Sequence, residues 1–288
     1  MKLYCLHEGI YEGVAARLTR LAAACLAEGV EFCPLNSECA DYSNLPNLNP
    51  GDLLYNCARG SETLESLLLG DRVVTFYVSQ PAVIATPVDS VDWTILHHKA
   101  ALRAPKTIFH MTGHRAQLSD YVQFLGGFPL ILKIRAGTRG TGIIRVDSWP
   151  NLLSTVDFLL STSSRFIMRQ YIPNSGTARL VVLGNEVIAS EFRDNLPNDF
   201  RVSGKEGEIN FYPREVGQDC SDLAVAATQL ANVETAGVDI VLDASGEPYL
   251  LEVNFPHNFV PPQMVTGVDV ASLMVRWLRD KSLRASVG

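Results

Sequence analysis

The chain has 288 residues, 47% apolar and 19% charged, a composition that excludes disorder and allows two domains, or three small ones around a cleft. A formal net charge of −7 excludes a broad basic face for duplex nucleic acid. No apolar run approaches the ~20 residues of a membrane helix, so neither nucleic acid nor membrane is an expected partner.

The opening Met1-Lys2-Leu3-Tyr4-Cys5 meets Glu8 and Glu12 too soon for a signal peptide, and the expected location is cytoplasmic. The six cysteines (5, 25, 33, 39, 57 and 220) form no CxxC pair. Cys33 and Cys39 lack neighbours that would complete a metal set, so reduced structural thiols are expected.

In chain order, residues 1–88 alternate strands and helices. Lys2–Leu6 reads as a strand, Val14–Ala27 as an Ala- and Leu-rich helix stopped by Gly29, and Val30–Pro34 as a second strand. Leu53–Cys57 reads as a strand, Ser61–Leu69 as a helix capped by its serine, and Arg72–Val78 as a further strand. This order predicts a small parallel sheet covered by helices. No GxGxxG marks a dinucleotide site. Residues 89–165 read as a helix to about Leu102, a strand Ile108–Met111 and a helix Gln117–Leu125 stopped by Gly126-Gly127. Strands Pro129–Ile134 and Ile143–Asp147 follow, then a helix capped by Ser148 with Pro150 in its first turn. Residues 166–288 hold a buried strand at Phe166, a hairpin turning at Gly184-Asn185, a polar loop Asn195–Gly207 and a helix Ser221–Ala231. Strands Val238–Asp243 and Tyr249–Asn254 and a closing helix from Val270 complete the chain.

Four constellations carry chemistry. Strand Phe128–Lys133 delivers one lysine to the start of a Gly- and Thr-rich run, Arg135 to Gly142. Glycines let backbone N–H groups close on phosphate oxygens, and lysine supplies a point charge. The order is not that of a Walker A loop, and an inert hairpin with a glycine-rich tip has the same residues. The second is Asp239 on one predicted strand with Glu252 and Asn254 on its neighbour. Two bare carboxylates ~4 Å apart repel by roughly 4 kcal/mol at an effective dielectric of 20, and a hard cation such as Mg2+ removes that cost. Solvated hairpin charges, or pairing with an arginine, is the alternative. The third is Arg169-Gln170-Tyr171-Ile172-Pro173, a buried strand running into a connection whose backbone can face an adenine edge. The fourth is the set Arg179, Arg193 and Arg201, suited to phosphate or carboxylate. Among the histidines, His257 follows the acidic strand and is a candidate to face an acceptor.

Taken in order, "FPLILKIRAGTRGTGI", "RQYIPNSGTARLVVLGNEVIASEFR", "DFRVSGKEGE" and "AGVDIVLDASGEPYLLEVN" resemble the ATP-grasp superfamily, and its RimK-like branch in particular, over residues 88 to 280. The resemblance implies an ATP-grasp fold of two α+β lobes preceded by a small Rossmann-like α/β domain. The expected divisions are 1–88, a central lobe 89–165 and a C-terminal lobe 166–288. It implies an ATP- and Mg2+-dependent ligase, with Mn2+ as a substitute metal, that joins a carboxylate to an amine through an acyl phosphate. By motif, Lys133 resembles the phosphate-binding lysine, and Gly137, Thr138 and Gly140 lie in the phosphate cover. Gln170, Tyr171 and Ile172 match the adenine hinge, and Arg179 the arginine after it. Arg201 matches the arginine that steadies the transferring group, so Lys133 and Arg201 are the expected catalytic residues. Asp239, Glu252 and Asn254 match the metal ligands. Expected partners are a small acid and amine, with a peptide as alternative, and a homo-oligomer. The chain departs from the family where Trp93, rather than lysine, follows Asp92, and where the hinge reads Arg169-Gln170 rather than Gln-Glu. A kinase on the same scaffold and a nucleotide sensor are the alternative functions, the sensor resting on Trp93.

Overall fold

A computed structural model describes residues 1–9, 12–57, 61–70, 72–79, 90–134, 141–196, 199–200 and 210–285. Three sheets organise them.

The first is parallel, in order β2-β1-β3, with β1 (Lys2–His7) between β2 (Glu31–Asn36) and β3 (Leu53–Asn56). Leu3 to His7 and all of β3 are buried, the near-continuous burial of a covered parallel sheet. Helix α1 (Glu12–Ala27) covers it and packs on the C-terminal helix. The segment expected as a strand at Arg72–Val78 instead makes two isolated bridges. Val74 pairs with Leu53 in the parallel sheet, and Tyr77 with Val233 beyond it. A segment divided between two partners has no continuous ladder. Helix α2 (Glu62–Leu68) starts after Ser61, but the serine hydroxyl donates to Asn56 rather than capping.

The second sheet is antiparallel, in order β4-β7-β5-β6: β4 (Thr107–Ile108), β7 (Phe166–Gln170), β5 (Leu130–Ile134) and β6 (Ile143–Val146). Strand β7 therefore belongs to this sheet, beyond the expected division at residue 165. Period-two alternation gives the sheet two unlike faces. Leu130, Leu132, Phe166 and Met168 form a core with Leu118, Val122 and Leu125 of α4 (Arg115–Leu125) and Leu152, Val156 and Leu159 of α5 (Trp149–Ser161). Lys133, Ile131, Ile167 and Arg169 share the opposite face. Helix α3 (Ser90–Lys99) precedes this sheet.

The third sheet is antiparallel, in order β10-β9-β8-β11-β12: β8 (Gly176–Leu183), β9 (Glu186–Asp194), β10 (Phe211–Pro213), β11 (Thr235–Leu242) and β12 (Pro248–Asn254). One face, with Ala178, Leu180, Val182, Val238, Ile240 and Val253, packs on α6 (Gln218–Leu230). On the other face, Val181, Leu183 and Ala189 are covered by the parallel sheet, α7 (Val260–Thr266) and α8 (Val270–Ala285). The uncovered remainder of that face carries the charged residues. Among the described residues no helix is long and apolar enough to cross a membrane, and the six cysteines are free thiols.

Candidate active site

The site begins with a row across the five-stranded sheet. Glu191 on β9 lies opposite Arg179 on β8, Arg179 opposite Asp239 on β11, and Asp239 opposite Glu252 on β12. Directly opposed residues bring their Cβ atoms to roughly 5 Å. Two β-bulges create this alignment, one between Val181 and Val182 and one between Asp239 and Ile240. Each shifts the register by a residue, and without the second Leu251 would face Asp239.

The pairing is specific. Arg179 Nε and Nη2 donate to the two oxygens of Asp239 at 2.5 and 2.7 Å, a bidentate fork. Their side chains are only 10% and 12% exposed. Gly237 makes room, because a Cβ there would come within 3.2 Å of Arg179 Cδ and Nη1. Lys133 reaches across from the four-stranded sheet, its Nζ 3.1 Å from Glu252 Oε2. Asn254 Nδ2 donates to Gly237 O at 3.2 Å and to Asp239 Oδ2 at 3.3 Å. Burial pushes the Glu252 carboxyl up, but Lys133 and Arg179 beside it outweigh this and hold it below the usual range. Burial opposes the Arg179 charge, and Asp239 more than offsets it.

Two carboxylates and a carboxamide at the ends of paired strands form an all-oxygen donor set. That suits Mg2+, which takes few protein ligands and completes its shell with phosphate and water. Among the described residues no three His, Cys, Asp or Glu group as candidate metal ligands, and the third oxygen of this set is that of Asn254. In this structure basic groups neutralise both carboxylates, Arg179 on Asp239 and Lys133 on Glu252. The expected repulsion between the carboxylates is thereby offset internally.

At the hinge, Gln170 N donates to Lys106 O at 2.9 Å, and Lys106 N to Gln170 Oε1 at 3.3 Å. Tyr171 carries the Arg145 guanidinium 4.8 Å above its ring. Ile172 is buried, and its carbonyl accepts from Asn174 Nδ2 at 2.6 Å. Gly137, Thr138, Gly140 and Arg201 lie outside the described residues. His257 does not face an acceptor. It is 1% exposed, with Nε2 3.1 Å from the Thr235 hydroxyl, and burial lowers its pKa to about 3.

The departures at positions 93 and 169 meet in one place. Trp93 is 5% exposed, in the core of the five-stranded sheet, and stacks on His97 at 6.2 Å. Arg169 is 5% exposed and donates to Thr107 Oγ1, Thr94 Oγ1 and Leu251 O at 3.4, 3.2 and 3.3 Å. It ties the four-stranded sheet to α3 and to the backbone beside Glu252. Burial lowers its pKa to about 10, against the pull of Glu252.

One site residue gave little signal in the sequence. Glu191 is fully buried, accepting Arg193 Nε at 2.8 Å and Arg193 Nη2 on Oε1, while its Oε2 has no partner among the described residues. A regular hairpin about Gly184-Asn185 places Ser190, not Glu191, opposite Arg179, so only the bulge reveals it.

The family model of the RimK-like ATP-grasp domain matches residues 92–278, which span both antiparallel sheets and every described site residue. The chain belongs to the RimK-like ATP-grasp family. It is 31% identical over 166 residues to the ribosomal protein bS6–L-glutamate ligase of Salmonella paratyphi B, a match covering 56% of this chain and 53% of that protein. The chain thus spans about half the length of the curated relatives it matches. The fold is that of the ATP-grasp ligase PsnB bound to a minimal precursor (TM-score 0.71, 16% identity, 96% of this chain and 99% of that one). It is also that of D-alanine–D-alanine ligase from Bacillus anthracis (TM-score 0.66, 14% identity, 99% and 98%). D-cycloserine synthetase DcsG aligns with TM-score 0.73 at 14% identity, over 98% and 100%. This RimK-like protein therefore has the ATP-grasp fold preceded by a parallel α/β unit.

Proposed function

We propose that the protein is an ATP- and Mg2+-dependent carboxylate–amine ligase, forming an amide or peptide bond and releasing ADP and phosphate. The observation that carries this reading is the charged row closed from the facing sheet by Lys133. In its support, the side chains of Asp239, Glu252 and Asn254 offer oxygen atoms near the cations Arg179 and Lys133, between two sheets of a RimK-like chain.

A carboxylate oxygen of the acid attacks the γ-phosphorus, and the bond to ADP breaks. The amine nitrogen then attacks the acyl carbon, phosphate departs, and the amine proton passes to solvent. Phosphoryl transfer needs alignment and charge neutralisation more than covalent help. Asp239, Glu252 and Asn254 would hold Mg2+, or Mn2+ in its place, which neutralises phosphate charge when bound. Lys133 would leave Glu252 for a phosphate oxygen, and Arg201 would steady the transferring group. Gly137, Thr138 and Gly140 would cover the phosphates, and Gln170, Tyr171 and Ile172 would flank the base.

Trp93 does not favour a sensor. Its buried stacking position is explained by packing, and a lysine there would lose its hydration. The similar proteins are named for ribosomal protein bS6 and L-glutamate, for D-alanine and for D-cycloserine, and PsnB is bound to a precursor, which supports testing acids of several kinds, and a homo-oligomer is read in parallel by light scattering. The test is mass spectrometry of the protein with Mg·ATP, pooled amino acids, small carboxylic acids and short acidic peptides. ADP together with a mass equal to acid plus amine minus water supports the ligase. ADP with a phosphorylated hydroxyl compound moves the assignment to a kinase.

A further inference from the structure

Among the described residues, every hydrogen bond of the Arg179 side chain goes to Asp239, and it occupies both carboxylate oxygens. A divalent cation bound by Asp239 needs those same oxygens. Arg179 is 8% exposed, so a guanidinium displaced from Asp239 has little water to receive it, and an unpaired buried charge is strongly unfavourable. The register supplies another acceptor. Arg179 lies between Asp239 and Glu191 on adjacent strands. Glu191 is 0% exposed, and among the described residues its Oε2 accepts no hydrogen bond, although a carboxylate oxygen can accept two. Oε1 is already fixed by Arg193, so the open oxygen belongs to a carboxylate that is held in place.

We propose that Glu191 is the alternate partner of Arg179, receiving its guanidinium when Asp239 turns to a divalent cation. The inference rests on the metal-site reading above. Glu191 touches neither metal nor substrate, and it acts through Arg179 as a positioning residue. Metal entry then exchanges one buried ion pair for another, and the strands need not move. Among the described residues the ion pair of Lys133 is with Glu252. On leaving Glu252 the lysine is free for a phosphate oxygen, whereas Arg179 stays parked.

The test is Mn2+ binding to the full chain with a non-hydrolysable ATP analogue, read from the electron paramagnetic resonance of free Mn2+. Wild type binds. Glu191→Gln is expected to weaken Mn2+ on the order of tenfold, because Arg179 then has only Asp239. Arg193→Lys, which keeps a cation on the other oxygen of Glu191, is expected to stay within about twofold of wild type. Unchanged affinity in Glu191→Gln overturns the inference. Equal weakening in both variants overturns it as well, since Glu191 would then serve only to hold Arg193. A wild type that binds no Mn2+ sinks the metal site itself, a distinguishable failure. Should Glu191→Gln not fold, a crystal structure of the wild type with Mn2+ and the analogue decides. Arg179 within hydrogen-bond distance of Glu191 supports the swap, and Arg179 still on Asp239 ends it.

Discussion

The parallel sheet and the five-stranded sheet bury side chains to similar degrees and put them to different use. In the parallel sheet the register runs without a shift from Lys2 to His7. Its core includes Leu, Tyr, Cys and Val, and its buried carboxyls are held by neutral donors, Glu65 by Asn56 at 2.7 Å and Tyr77 at 3.3 Å and Asp52 by the backbone N–H groups of Lys2 at 2.8 Å and Asn49 at 2.9 Å. In the five-stranded sheet two bulges interrupt the register, and the row they align carries Glu191, Arg179, Asp239 and Glu252. Buried ion pairs are weak sources of stability, because desolvation offsets most of their attraction. On the function proposed above, a sheet that lines up four charges and borrows Lys133 from another sheet is shaped by what it binds. The parallel sheet is shaped by what it packs.

The largest effect that tests this contrast is on turnover. Glu252→Gln and Lys133→Ala are each expected to lower ATP turnover by about 10³-fold or more while circular dichroism shows an unchanged fold. Normal turnover in either folded variant removes the site. Next is the ion pair. With Glu191 as the fallback partner of Arg179, Asp239→Ala is expected to cost less in denaturant unfolding than the about 3–5 kcal/mol of a buried charge left unpaired. Adding Arg179→Met should restore most of that loss. If the double variant is as unstable as the single one, the row is not held by charge.

Trp93→Lys separates packing from chemistry at the boundary of the sheets. It is expected to cost about 3–5 kcal/mol through the lost aromatic volume and the desolvated ammonium, without tightening ATP in a titration. Tighter ATP binding would show that position 93 serves the nucleotide.

The smallest effects are in pH dependence, and the two regions should differ in sign. Burial raises the Glu65 carboxyl from 4.5 to about 7. Between those values the folded state holds the extra proton, so stability falls as pH rises. Burial lowers His97 from 6.5 to about 4. There the unfolded chain holds the extra proton, and stability falls as pH drops through that window. Thermal melts of Glu65→Gln and His97→Phe from pH 5 to 7 should therefore deviate from wild type with opposite slopes, each up to about 1.4 kcal/mol per pH unit. Slopes of the same sign would mean that one of the two groups ionises in a different setting.

Much of this was legible in the residues. The parallel order of the first strands followed from alternating apolar runs and helix stops, and Gly126 ends α4 in the left-handed conformation expected of such a stop (φ 94°). Asp239, Glu252 and Asn254 were readable as oxygen ligands on neighbouring strands, and Lys133 as a cation at a strand end. The Arg72–Val78 strand was misread, because its alternation cannot disclose that Val74 and Tyr77 serve different partners. His257 looked free for an acceptor because neighbours in sequence say nothing about what covers a ring.

The sequence by itself determined the chemistry on offer: which strands end in a cation, which carry hard oxygen ligands, and which family the order of motifs belongs to. Only the tertiary structure decided who faces whom. A strand has period two, so a one-residue slip sends a side chain to the other face, and the two bulges that set the row carry no glycine or proline to announce them. The contact between Lys133 and Glu252 joins residues 119 positions apart, and it exists because two separate sheets close on one cleft.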